Sequence, residues 1–249
     1  MTLVRSLDSE HRIMVCGYAL EGADPPQEPS LELRSVRVTD RTRIPVEFGR
    51  LCRYTELPFR FRHVADLFEP DVVFSQHEQS LLGARLRATR NVPHVLFVHD
   101  DSVLPVWGRG GNPLTKVINS LSIPISFLVF RYVLAHTDLV VANSEYMKQR
   151  VDHQWGTDAA VVYPFIDPEA VRTESTGEKI LHVTPTHHKG IDLTLDVAST
   201  MPDQSFIIVG TDPPASISDR MADLENVSYR GYQSDIRSVY RETKVVLMP

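Results

Sequence analysis

Residues 179–210 read KILHVTPTHHKGIDLTLDVASTMPDQSFIIVG. An apolar run opens the stretch, a turn closes on Lys189 and Gly190, an amphipathic segment follows, and a second apolar run stops at Gly210. Short apolar runs bounded by turn residues predict strands, and the segment between them predicts a helix. Strand, turn, helix and strand in that order make a βαβ unit, the connection that parallel strands require. The first N–H groups of a helix lack intrahelical acceptors and sit at the positive end of its dipole. A lysine held beside them by Gly190 therefore suits a phosphate group. The plain alternative is a solvated lysine on an exposed face.

The same alternation extends in both directions. Towards the N-terminus the predicted strands are IMVCGY (13–18), LELRSVRV (31–38), DVVFSQ (71–76), HVLFVHD (94–100), DLVVANS (138–144) and AAVVYPF (159–165). Helical segments over 79–90 and 114–136 lie between them, the pattern of a mainly parallel sheet. Successive apolar residues in VVF and VLFV predict strands covered on both faces. The polar stretch DPEAVRTESTGE (167–178) reads as a linker. Beyond the 179–210 unit come VSYRGY, a helix over 234–242 and KVVLMP. Two Rossmann-like α/β domains are expected, over 1–168 and 176–249. Ligands of such sheets gather at the carboxyl ends of the strands, so a cleft between the domains is the expected site.

The chain has 249 residues, 42% of them hydrophobic and 23% charged, as in ordinary globular proteins, and a formal charge of −6. That balance leaves no basic footprint for nucleic acid. Cys16 and Cys52 show no metal spacing and no CxxC, which suits free thiols in a reducing compartment. The opening MTLVRSLDSEHRIMV lacks the apolar core of a signal peptide, and a cytoplasmic protein is expected. The most apolar region, LSIPISFLVFRYVLA (121–135), falls short of the roughly 20 residues that span a bilayer and contains Arg131. A buried helix is expected there, with peripheral contact to a membrane as the alternative.

Three stretches carry a family resemblance. TDLVVANSEYMKQRVDHQWGTDAAVVYPFIDPE (137–169) resembles the end of the N-terminal domain in family 4 glycosyltransferases of the GT-B fold. EPDVVFSQHEQSLLGARLRATRNVPHVLFVHD (69–100) resembles two consecutive strands of that domain. The lysine turn and NVSYRGYQSDIRSVYRETKVVLMP (226–249) resemble the start of its nucleotide-sugar-binding domain. The resemblance implies transfer of a sugar from a nucleotide-diphosphate donor to an acceptor hydroxyl, with retention of anomeric configuration and without a metal or other cofactor. The acceptor would be a glycan or a lipid-linked compound. It also implies a first strand before residue 1 and a sugar-gripping segment after Pro249, so the chain reads as a fragment with an incomplete C-terminal domain, or as a module that a partner completes. One departure falls inside the lysine turn. The family has a Gly-Arg pair after the strand, where this chain has Thr184, Pro185 and Thr186; hydroxyl or imidazole donors from Thr184, Thr186 or His187 would take the arginine's part, as weaker neutral donors.

On that resemblance Lys189 neutralises the leaving diphosphate and His99 lies near the reacting sugar, where imidazole orients a hydroxyl or stabilises charge. From position alone His99 is equally a core histidine. Donor binding is expected from Thr184, Thr186, His187, Lys189, Gly190, Gly210 and Gly231, although Gly210 and Gly231 also read as plain turn glycines. Asp100, and Arg109 in the loop WGRGGNP (107–113), are placed on the acceptor side. His99-Asp100-Asp101 also reads as a cation site, but a hard cation needs more oxygen ligands than this run offers, and adjacent His187 and His188 diverge too far to share a zinc. No metal is expected. Asn143 and Ser144 read as a helix cap. Two other readings stand beside transfer: a non-catalytic α/β module, and a nucleotide-sugar epimerase, for which Glu78 is the one cleft carboxylate to name.

Overall fold

The computed structural model describes residues 11–20, 32–38, 46–100, 113–165 and 168–248. The loop over 107–112 with Arg109, and Asp101, lie outside these residues. Contacts divide the chain into two compact units, Met1–Phe165 and Ile166–Pro249.

In the first unit, β1 (Met14–Leu20) pairs with β2 (Glu32–Val38). A second sheet has the order β3 (Val73–Ser75), β4 (His94–Val98), β5 (Leu139–Ala142), β6 (Ala160–Val161). Its helices are α1 (Val46–Phe68), α2 (Ser80–Arg90), α3 (Pro113–Ala135) and α4 (Glu145–Trp155). In the second unit, after a short α5 (Pro168–Val171), the sheet order is β10 (Thr243–Leu247), β7 (Lys179–Val183), β8 (Phe206–Val209), β9 (Val227–Tyr229). Its helices are α6 (Ile191–Thr200), α7 (Ala215–Ala222) and α8 (Arg237–Arg241). Every strand pairing among the described residues is parallel. A parallel neighbour aligns carboxyl ends with carboxyl ends, so each sheet collects its strand-end residues along one edge.

The cores follow from the sequence periods. Leu96 and Val98 on β4, Val140 and Ala142 on β5, Phe130 and Val133 on α3 and Met147 and Val151 on α4 form one buried cluster. In β8 all four residues are buried: Ile208 packs with α6 and α7, while Ile207 and Val209 pack with Leu181 and Val239. Each such side chain contributes about 1.5–3 kcal/mol when fully buried. Ser144 caps α4, its hydroxyl oxygen accepting from the amide of Met147 at 3.3 Å.

Four expectations are corrected. The helix α1 was not anticipated, although Tyr54, Leu57, Phe61 and Ala65 recur at helical spacing and are buried; Pro58 inside it masks the pattern. The helix α7 was also missed. Covering on both faces holds neither for β3, where Phe74 is 69% exposed, nor fully for β4, where Val95 and Phe97 are only half-buried. The apolar part of α3 is longer than the 121–135 run: Lys116–Ala135 reaches 20 residues, enough by length and composition to cross a membrane.

Candidate active site

The first unit gathers its polar strand ends at β3, β4 and β5. After β3 the chain enters a single 3-10 turn, His77–Gln79, with His77 at φ 48°. Directly after β4 stands His99. The two imidazoles meet with Nε2 to Nε2 at 3.1 Å, ring centroids 4.5 Å apart and planes at 84°. One ring must donate and the other accept, so a single proton joins them. Asp100 stands beside both, Oδ2 at 3.6 Å from His99 Nε2 and Oδ1 at 3.9 Å from His77 Nδ1. Phe97 stacks on His99 at 5.8 Å. Asn143, at the end of β5, donates through Nδ2 to the His99 carbonyl at 2.8 Å. Asn143 thus anchors the end of β4 and leaves the capping of α4 to Ser144.

His77 is the residue that sequence reading missed. Its signal was present, a histidine two positions beyond the run VVFS, yet its partner lies 22 positions away and only sheet order makes them neighbours. His77, His99 and Asp100 also bring ligand atoms within 4.8 Å of one another. The turn after the adjacent strand thus adds an imidazole nitrogen to the His99-Asp100 run, and not the oxygen ligands that a hard cation requires. Glu78 is buried and receives Arg53 of α1 at 3.0 and 3.2 Å, so the carboxylate named for epimerase chemistry is engaged in an ion pair that ties α1 to this turn.

In the second unit β7 ends at Val183, and Thr184 takes a left-handed backbone, φ 69°. Its amide donates to Val209 at 2.8 Å; its carbonyl accepts from the Thr186 amide at 2.8 Å and from His182 Nε2 at 3.2 Å. His182 is fully buried, and with Nε2 donating, its Nδ1 accepts from the Thr194 hydroxyl at 2.8 Å. Burial pulls the His182 pKa below the usual histidine value, against the opposing pull of the Thr184 carbonyl. A buried histidine thus pins the first residue of the turn.

Thr186 opens a second 3-10 turn, His187–Lys189, and its carbonyl accepts from the Lys189 amide at 3.0 Å. The Thr186 hydroxyl oxygen is buried and has no hydrogen-bond partner among the described residues. Gly190, φ 71°, joins this turn to α6, a path that a side chain would strain. Lys189 is exposed and makes no ion pair among the described residues. His187 Nδ1 lies 2.6 Å from Asp192 Oδ2, and Arg220 reaches the other oxygen at 2.7 Å. The hydrogen bond from His187, aided by Arg220, holds the Asp192 carboxyl below its usual range. His187 therefore has its Nδ1 committed and its Nε2 left for another partner.

Gly210 ends β8 with φ 137°, and its amide donates to Gly231 at 3.0 Å. A Cβ on Gly210 would stand 2.9 Å from Thr184 Cα and 3.0 Å from Pro185 Cδ. The close approach that requires glycine here is made by the protein's own turn, a different reason from the approach of a ligand. Gly231, φ 67°, has open space where a side chain would go. Tyr229 donates its hydroxyl to the Gly210 carbonyl at 3.1 Å and fixes the same edge. Thr184, Thr186, His187, Lys189, Gly190, Gly210 and Gly231 thus share the carboxyl edge of one sheet, and His99 and Asp100 share that edge of the other. A cavity of about 780 Å³ lies at the opposite, amino end of β4 and β5, lined by Arg87, Asn91, His136 and Asp138. Arg87 and Asp138 pair there at 2.8 Å, and none of the candidate residues lines it.

The sequence model of glycosyltransferase family 4 matches residues 1–170. Among solved structures, the chain is similar to Anabaena HepE in complex with UDP and glucose, with 17% identity and a TM-score of 0.59 over 86% of this chain and 60% of that one. It is similar to an α,α-trehalose-phosphate synthase (UDP-forming) from Burkholderia vietnamiensis, with 11% identity and a TM-score of 0.60 over 98% and 73%. A glycosyltransferase from Rickettsia africae gives 16% identity and a TM-score of 0.51 over 99% and 62%. At these identities the likeness concerns the fold, a GT-B type α/β architecture with parallel sheets. The chain spans 60% of the length of HepE. No curated protein sequence matches it.

Proposed function

The chain belongs to glycosyltransferase family 4, and from that membership we propose that it moves a sugar from a nucleotide-diphosphate donor to the hydroxyl of a glycan or lipid-linked acceptor. The carrying observation is the turn after β7. Among the described residues, an exposed ammonium without an ion pair, a buried hydroxyl without a partner and the start of a ten-residue helix lie within six residues of one another. A diphosphate satisfies all three: Lys189 supplies a full charge, Thr186 a hydroxyl donor, and the first turn of α6 the amides of Asp192 and Leu193, those of Ile191 and Thr194 being engaged by the Thr186 and Gly190 carbonyls. As the bond from the anomeric carbon to the diphosphate oxygen breaks, negative charge grows on that oxygen, and a fixed cation beside it lowers the barrier.

His187, held by Asp192, adds an imidazole donor where the family carries an arginine. Gly210 and Gly231 shape the edge on which the nucleotide rests. On the acceptor side His99, fixed through its carbonyl by Asn143 and in contact with His77, orients the acceptor hydroxyl, with Asp100 beside it. Arg109 belongs to the same side of this proposal. Transfer proceeds with retention and without a metal at the diphosphate, because Lys189 supplies the positive charge that a cation would otherwise bring. The reaction takes place in the cytoplasm, at a membrane surface when the acceptor carries a lipid.

Lys189→Ala tests the reading. Loss of one preorganised charge contact of this kind costs about 10²–10³ in turnover, and the variant should lose donor turnover to that extent with its melting temperature unchanged. Turnover equal to the parent's would overturn the assignment. Turnover that survives EDTA and yields a product of unchanged anomeric configuration by NMR supports the metal-free, retaining course; loss of turnover on chelation would move the charge-stabilising role to a cation.

A further inference from the structure

The turn after β3 and the end of β4 bring together three side chains of metal-binding type. His77, His99 and Asp100 each offer one ligand atom, and these atoms all lie within 4.8 Å of one another. Among the described residues no other group of three histidine, cysteine or carboxylate side chains converges in this way. The convergence is a product of the fold. β3 and β4 pair in parallel, so the residues that follow them leave the sheet side by side. Alternation along a strand sends successive side chains to opposite faces. But β4 ends at Val98, and past its end Asp100 Oδ2 comes to 3.6 Å from His99 Nε2.

The spacing selects the ion. Two ligands at about 2.0–2.1 Å from a zinc ion, set at the tetrahedral angle, stand about 3.3 Å apart. His77 Nε2 and His99 Nε2 are 3.1 Å apart, and the Asp100 oxygen is 3.6 Å from the second of them. These separations bracket the tetrahedral one. Two imidazole nitrogens with a single carboxylate suit a metal of intermediate softness, whereas calcium and magnesium take oxygen ligands. The ligands are also held from behind: Asn143 bonds the His99 carbonyl at 2.8 Å, and Glu78, next to His77, is buried and bonded to Arg53. The three side chains are 26–47% exposed, which gives an ion a path in. We propose that His77, His99 and Asp100 bind zinc, with three protein ligands and a fourth position open to solvent, the arrangement of an exchangeable rather than a structural site. On binding, the ring that donates shifts its proton from Nε2 to Nδ1, so both Nε2 lone pairs face the metal. The bound ion occupies the imidazole that orients the acceptor hydroxyl, and zinc therefore blocks transfer. That consequence rests on the proposed function; the site does not.

Titration of the whole chain with zinc against a chromophoric chelator tests the site, together with titration by cobalt, whose four-coordinate complexes absorb strongly in the visible. A single equivalent of zinc should bind. Removing a group that merely supports a metal ligand weakens the metal about 10–100-fold, and a ligand itself counts for at least as much. His77→Ala and Asp100→Ala should therefore each weaken zinc at least about tenfold and lose the cobalt absorption. Asp100 is exposed, so its variant keeps the test open if His77→Ala does not fold. Lys189→Ala and His187→Ala, both in the second unit, should bind zinc like the parent, which separates this site from the donor assignment. In the parent, zinc should abolish donor turnover and EDTA should restore it. Absence of zinc binding, or binding unchanged in both ligand variants, overturns the site. Zinc bound through these residues with turnover unaffected would uphold the site and overturn the acceptor role of His99.

Discussion

Thr184 shows most directly what one residue costs and does. A β-branched side chain opposes the left-handed backbone at φ 69°, and the family pattern has glycine at this place. Thr184→Gly should raise stability by about 1 kcal/mol, read as a higher urea midpoint at unchanged slope. If the strained turn also presents Lys189, the same variant should raise KM for the donor. Gly210 faces the turn from β8 and admits no side chain: Gly210→Ala should lower stability by about 2 kcal/mol or more, because Thr184 and Pro185 occupy the space a methyl group would need. A stability for Gly210→Ala equal to the parent's would show that the turn can move aside. Both substitutions lie in one contact, so their effects should not add.

Among the elements, β10 is held to its sheet partly by ion pairs. Glu242, just before it, receives Arg230 at 2.7 and 3.0 Å and Lys179 of β7 at 2.6 Å. These bonds, Arg230's first, lower the Glu242 carboxyl from 4.5 to about 2. A carboxyl with a lowered folded pKa gives its stabilisation above its unfolded pKa and loses it as pH falls through the folded one. The second unit should therefore lose melting temperature between pH 4.5 and about 2, and Glu242→Gln should flatten that part of the profile. The side chains are partly exposed, so high salt should reduce the effect. A slope that persists in Glu242→Gln would assign the acid sensitivity to other carboxylates. Among the described residues none of these side chains bonds the Lys189 turn, and donor turnover at neutral pH should be unaffected by Glu242→Gln.

At the scale of the whole chain, each unit buries one histidine that burial keeps neutral: His94 in the first, held by Ser75 at 2.6 Å and the His136 carbonyl at 2.9 Å, and His182 in the second. A histidine whose pKa is lowered on folding leaves stability full above the ordinary 6.5 and reduces it as pH falls below, when the unfolded chain takes up protons that the fold refuses. Calorimetry from about pH 7.5 to about pH 5 should show this loss in both units, and a flat profile would contradict it. Apart from α7, the strand and helix order was legible from residues 71–100 and 138–247, because the 2.0 and 3.6 periods of burial are local properties of neighbouring side chains. So were the Ser144 cap and the turn at Lys189 and Gly190, which depend on backbone groups a few residues apart. The contact of His77 with His99, the engagement of Glu78 by Arg53, and the packing of Gly210 on Thr184 were not legible, because each joins residues 22 to 26 positions apart. The sequence by itself determined which segments form the strands and, α1 and α7 apart, the main helices, and where a helix start meets a lysine. Only the tertiary structure decided which strand ends lie side by side, which face of α3 stays uncovered and which polar groups are already spent, because those depend on the order of strands in a sheet, and a local period carries no information about its distant neighbours.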